Sequence, residues 1–289
     1  MTDSSQKSGR SLDKLRAEID RLDSVIHAAL RDRMGIVEEL AGAKGPAGSM
    51  RPAREMEVLR ALVEAHDGAM PVAQVIRIWR EIMAASLAYQ SPFDVHLYSA
   101  GDDIAFWDLA RFHFGSATPL HAQKSFGHVL TEVNNGNGTV GVLPEPEFEE
   151  SNAWWPHLLF AADDGPRVIA KLPLFEGAAG YDFPSAMVIG NVTQRPTGDD
   201  ASLVVVLAAT TLRRTKVADQ VAAVGIKANL LSMAADESDD ANRYLLFETT
   251  EYVAEDDPRL LALPENGEGI GRAKIVGGYA QTIQLTEGA

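Results

Sequence analysis

Between Ser11 and Lys44 the apolar residues Leu12, Leu15, Ile19, Leu22, Ile26, Ala29 and Leu30 recur at spacings of three and four, the mark of a helix with one apolar stripe. Continued past Ile26, the stripe meets Arg33, then Leu40 and Lys44. At 100° per residue Arg33 and Lys44 lie about 20° apart around the axis. Two cations thus fall on a face expected to be dry, where an unpaired charge costs several kcal/mol. Either something anionic meets them, or their stems lie along apolar surface and their heads reach water.

Two shorter helical patterns follow. After the breakers Gly42, Gly45-Pro46 and Gly48, Pro52 opens one through Met56, Leu59, Leu62 and Val63 to about Ala65, proline being suited to a first turn. Pro71 opens the next, with Val75, Ile76, Ile78, Trp79, Ile82 and Met83 as its core face, and Pro92 stops it after Gln90. The first helix spans roughly 32 residues, about 48 Å, and its two shorter neighbours cannot cover its stripe alone. A symmetric dimer in which two long helices cover each other is expected. Gly35, which costs about 1 kcal/mol relative to Ala in mid-helix, marks a close crossing.

Beyond Pro92 the pattern changes to short strands among helices. Strands are expected over Asp94–Ala100, Thr139–Glu145, Arg167–Phe175 and Ala186–Val192, and helices over Ile104–Phe114 and Phe126–Val133. From about residue 200 the strands SLVVVLA, NLLSMAA, NRYLLFETTEYV and AKIVGGYA alternate with a helix at KVADQVAAVGI and a short one near Pro258–Leu263.

Composition narrows the classes of function. The 289 residues are enough for two or three modest domains. With no cysteine, disulfides, cysteine nucleophiles and thiolate metal sites are excluded, and a reducing cytoplasm suits the chain. The polar opening MTDSSQKSGRS predicts no signal peptide. Without an apolar run of about 18 residues, no spanning helix is expected. Residues 1–92 carry 13 Lys+Arg and 13 Asp+Glu, so the net charge of −15 falls wholly on the remainder. No basic stripe is present, so nucleic acid is not expected as a partner. The seven histidines lack ligand spacing, so no metal or other cofactor is expected. The neutral segment can still hold a small anion.

Candidate polar residues cluster in that segment. Arg54-Glu55 opens the second helix, and Ser86 and Gln90 share a face of the third. Arg16 lies roughly 100° around and about 25 Å along the axis from Arg33. It is out of reach of Arg33 in its own chain, but open to the site of a dimer partner. LRAEIDRLD, Arg33, Lys44, the RPARE run and Ser86-x-x-x-Gln90 resemble the all-helical chorismate mutases over residues 11–91. The resemblance implies an intertwined dimer of three-helix protomers acting on chorismate to give prephenate. It implies that Arg16 (from the other protomer), Arg33 and Arg54 bind the substrate carboxylates, with Ser86 supporting one. It further implies that Lys44 and Gln90 face the ether oxygen and that Glu55 takes the ring hydroxyl. Arg51 stands where some members carry an acid.

SFGHVLTEVNNGNGTVGVLPE and RVIAKLPL resemble prephenate dehydratase over residues 93–195. That family's glycine-rich start reads here YSAGDDIAF, its Glu-Asn-Ser reads Pro144-Glu145-Pro146-Glu147, and its Thr-Arg-Phe aligns with Ser185-Ala186-Met187. Only Gly177 to Pro184 separate the LPL strand from that position, so one degenerate lobe is expected. TGDDASLVVVL, AAVGIKANLLSM and IVGGYA resemble the ACT domain over residues 200–285. This implies a ferredoxin-like βαββαβ unit, pairing with another such unit, and an aromatic amino-acid effector. Its ligand motifs read Ala209-Thr210-Thr211-Leu212 and Ser232-Met233-Ala234-Ala235. The expected fold is therefore multidomain, α then α/β, and the expected function is a cytoplasmic chorismate mutase of aromatic amino-acid biosynthesis. The alternatives are a bifunctional mutase–dehydratase, or a regulatory ligand-binding protein with an inactive mutase domain.

Overall fold

The computed structural model describes residues 10–44, 50–99, 104–136 and 138–285. The breakers Gly45-Pro46 and Gly48, and Ala100 at the end of the first expected strand, lie outside the described residues. Contacts divide the chain into two compact units, residues 1–47 and 48–289. The first holds helix α1, Leu12–Lys44. Its apolar residues remain largely exposed: Leu12, Ile19, Ile26 and Ile36 each keep more than half of their surface in water, at 70%, 57%, 58% and 56%.

In the second unit, α2 (Pro52–Ala65) and α3 (Val72–Gln90) precede an alternation of strands and helices. It runs β1 (Val95–Tyr98), α4 (Ile104–Phe114), β2 (Leu120–Gln123), α5 (Phe126–Asn135), β3 (Val140–Pro144), β4 (Glu149–Glu150) and a 3-10 helix at Trp155–Phe160. Then come β5 (Arg167–Leu172), β6 (Phe175–Glu176) and β7 (Ala186–Gly190). The remainder is β8 (Asp200–Ala209), α6 (Arg214–Ala223), β9 (Ala228–Ala235), β10 (Asn242–Thr249), α7 (Pro258–Asn266), β11 (Ile270–Ala280) and β12 (Ile283–Gln284).

Among the described residues ten strands form one sheet, ordered β2-β1-β3-β7-β5-β11-β8-β10-β9-β4. Residues 200–280 supply β11-β8-β10-β9, an antiparallel βαββαβ arrangement of the ferredoxin-like type. The two halves meet where β11 runs parallel to β5, Gly277 opposite Val168. Gly277 has φ +113, and a Cβ there would lie 2.1 Å from the Val168 carbonyl oxygen, so only glycine lets the strands close.

Three apolar layers hold this sheet. Met56, Leu59 and Ile76 of α2 and α3, with Leu109 of α4, pack on Val95, Val142 and Ile169. On another layer Val129 and Val133 of α5 and the buried Trp154-Trp155 pair meet Val168, Met187 and Val276. Val217 and Val221 of α6, with Leu260 and Leu263 of α7, cover Val204 and Leu245. Gly115, at φ +85 after α4, lets α3 approach: a Cβ there would sit 2.7 Å from that of Ala84. Beside it, Glu81 accepts from the Ser116 N–H at 3.1 Å.

The third helix departs from its sequence pattern in one place. Ile78 is 44% exposed, whereas Arg80 is buried at 3%. Arg80 follows Ile76 by four and precedes Met83 by three, so it occupies the same inward face.

Candidate functional site

On α1, Arg16 is exposed and lies 3.6 Å from Asp13, and Arg33 is also exposed. Lys44 ends the helix; its side chain lies outside the described residues.

The remaining candidates lie in the second unit. Arg54 and Glu55 sit in the first turn of α2, where Pro52 starts the helix. The Arg54 guanidinium is 68% exposed and donates to Glu57 at 3.0 Å. Glu55 turns inward, and its carboxylate accepts from Arg80 Nη1. Arg80 Nε donates to the His113 carbonyl oxygen at 2.7 Å, which ties α3 to α2 and α4. Burial, and then the positive charge of Arg80, hold the His113 imidazole well below its ordinary value, so it is neutral at pH 7.

Ser86 and Gln90 occupy successive turns of α3, as their spacing requires. The Ser86 hydroxyl donates to the Ile82 carbonyl at 2.7 Å, and the Gln90 amide donates to the Ser86 carbonyl at 3.1 Å. Ser86 is buried, whereas Gln90 is half-buried.

Arg80 was no candidate in the sequence, although its place on the α3 stripe was the signal. Arg60 and Arg195 carried no signal at all. Their surroundings come from segments more than a hundred residues away, as in the Arg60 bond to Thr197 Oγ1 at 3.0 Å.

Farther along, Glu145 at the end of β3 accepts from Lys171 at 2.6 Å. A cleft of about 540 Å3 is lined by Thr210, Met233, Ala234 and Ala235, which belong to the two effector motifs. Glu149, Glu150, Asp236, Asp240 and Arg243 also line it, so it is acidic. β4 pairs along β9 at Met233 and Ala234, and the Met233 N–H donates to the Phe148 carbonyl at 2.9 Å. That part of the β9 edge is therefore already occupied.

Among the described residues no group of His, Asp and Glu is arranged to hold a metal ion. Nor is any described helix long and apolar enough to cross a membrane.

Comparison with known proteins adds the following. A bifunctional chorismate mutase/prephenate dehydratase of Pseudomonas aeruginosa is 30% identical over 141 residues, 46% of this chain and 38% of the relative. A protein of the same description from Neisseria gonorrhoeae is 31% identical over 129 residues, 45% of this chain and 35% of the relative. The chain spans well under half the length of these curated relatives. A prephenate dehydratase structure from Streptococcus mutans aligns over 66% of this chain and 100% of its own, at 16% identity and a TM-score of 0.44. The family model of type II chorismate mutase matches residues 15–91, and over that stretch the chain is similar to those enzymes.

Proposed function

We propose that the chain catalyses the rearrangement of chorismate to prephenate, as an isomerase of aromatic amino-acid biosynthesis. One observation carries this reading: the match to type II chorismate mutase over residues 15–91 encloses all seven candidate residues, Arg16, Arg33, Lys44, Arg54, Glu55, Ser86 and Gln90.

The reaction needs no nucleophile and no cofactor. The substrate must be folded into its reactive conformer, and charge growing on the breaking C–O bond must be stabilised. In this reading Arg16, Arg33 and Arg54 hold the carboxylates through planar forks that fix orientation, with Ser86 supporting one of them. Holding the near-attack conformer reduces the ordering left to be done in the transition state. Lys44 and Gln90 donate to the ether oxygen as it becomes negative. Glu55 takes the ring hydroxyl.

The reading includes a homodimer. The exposed stripe of α1 is its surface, and Arg16 acts on the partner's substrate. It assigns residues 11–91 to the mutase, 93–195 to a single dehydratase-like lobe and 200–285 to an ACT-like unit, all in the cytoplasm. The ACT-like unit serves assembly or takes an aromatic amino acid, which a thermal shift with phenylalanine, tyrosine or tryptophan would reveal. The bifunctional relatives favour a second reading, an enzyme that also makes phenylpyruvate.

Purified chain mixed with chorismate distinguishes the readings. Loss of chorismate with prephenate as the product is expected. Phenylpyruvate appearing without acid treatment would establish the second reading, and inert chorismate would end both.

A further inference from the structure

A cleft of about 660 Å3 opens between the start of α2 and the segment 191–197 that joins β7 to β8. Arg51, Arg54 and Arg195 line it. Among its described lining residues Glu57 is the sole carboxylate, and it is already paired with Arg54. Three arginines and one acid thus line a cleft in a chain whose net charge is −15.

The first turn of α2 adds to this field. Its N-cap residue, Arg51, makes no side-chain cap, so the positive end of the helix dipole stays open beside Ala53 and Arg54. Met50, Ile169 and Val192 give the cleft an apolar wall. Its volume lies within the range of about 300–1,000 Å3 usual for small-molecule sites.

The two sides of the cleft are fixed to each other. Arg60 of α2 donates to Thr197 Oγ1 at 3.0 Å and to the carbonyls of Asp199 and Gln281 at 2.9 Å each. Asp200 braces the same turn, accepting from the Thr197 N–H at 2.7 Å and its hydroxyl at 2.8 Å. The segment bearing Arg195 is therefore held against the helix bearing Arg54 before any ligand arrives.

We propose that Arg195 is a further substrate-binding residue, which with Arg51 and Arg54 binds a small ring-bearing dicarboxylate. The proposal rests on the mutase reading for Arg54. It extends the carboxylate-binding end of that site to a residue from the C-terminal part of the chain. Separate guanidinium forks suit two carboxylates on one ring, because each fork fixes the plane of its carboxylate. The apolar wall accommodates the ring.

Full-length Arg195→Ala and Arg195→Lys chains test this by steady-state kinetics with chorismate and by calorimetric titration with prephenate. Arg195 is exposed, so unchanged circular dichroism and melting temperature are expected. For Arg195→Ala the KM and the prephenate Kd are each expected to rise about tenfold, the loss of one charge-assisted contact, with kcat within about twofold. Arg195→Lys, which keeps the charge but not the fork, is expected to recover part of the affinity. Unchanged KM and Kd in an active enzyme would overturn the inference alone. Weakened prephenate binding at constant KM would overturn the assignment to the reacting substrate. A wild-type chain that neither consumes chorismate nor binds prephenate would instead remove the mutase reading.

Discussion

Arg80 Nη1 donates to the carboxylate of Glu55, joining the buried face of α3 to the first turn of α2. The Arg80 side chain is 4% exposed and that of Glu55 20%. The same guanidinium also satisfies the His113 carbonyl. Removing one member of such a pair strands the other away from water. Arg80→Met is expected to lower stability by about 3 kcal/mol, read from urea unfolding. Adding Glu55→Gln to it should restore part of the loss, because the stranded group is then uncharged. A loss well under 1 kcal/mol for Arg80→Met would show that the pair does not hold the helices.

His113 gives the fold a pH dependence. Burial first, and the charge of Arg80 second, depress its folded-state pKa well below 6.5. The unfolded chain therefore binds a proton below about pH 6.5 that the folded chain refuses, and stability falls as pH falls through that range. The slope from this group approaches about 1.4 kcal/mol per pH unit. His113→Phe should remove that part of the slope between pH 6.5 and 5. Parallel wild-type and variant curves would count against it.

If the proposed mutase reading holds, Lys44→Ala abolishes turnover without changing the folding or the assembly state of the chain, because no other group then supplies an ammonium to the breaking bond. Sedimentation and a chorismate assay together check this, and near-normal rates would remove the mechanism. Arg16→Ala should be as inactive. Mixing Arg16→Ala and Lys44→Ala chains should regenerate working sites if Arg16 acts on the partner's substrate. A dead mixture argues that it acts within its own chain.

At Gly277 the two halves of the sheet meet, and the backbone has φ +113 with the Val168 carbonyl in the space of a Cβ. Gly277→Ala combines a strained backbone with a clash and should cost at least about 2 kcal/mol in chemical unfolding. A variant as stable as wild type would mean that the strands tolerate separation there.

Much of this chain was legible as pattern. Leu12 to Leu30 predicted α1, Pro52 and Pro71 marked where α2 and α3 begin, and the alternation after residue 200 predicted the strands of the βαββαβ unit. These features rest on local periodicity and on proline geometry, which neighbouring residues determine. The short strand β2 and the 3-10 helix at Trp155–Phe160 escaped notice. Neither carries a period long enough to read: β2 has four residues, with neither end buried. The seven mutase candidates were legible because their residue types and spacings resemble a family motif. Their hydrogen-bond partners were not.

By itself the sequence determined where the longer helices and strands form, which stretch is electrically neutral, and which side chains resemble a family's dianion-binding set. Tertiary structure alone decided that Glu55 is engaged by Arg80 and that Arg195 shares a cleft with Arg54. The reason is range. Periodicity is set within a turn or two of the chain, whereas the partner of a charge is chosen by packing between segments that the sequence leaves far apart.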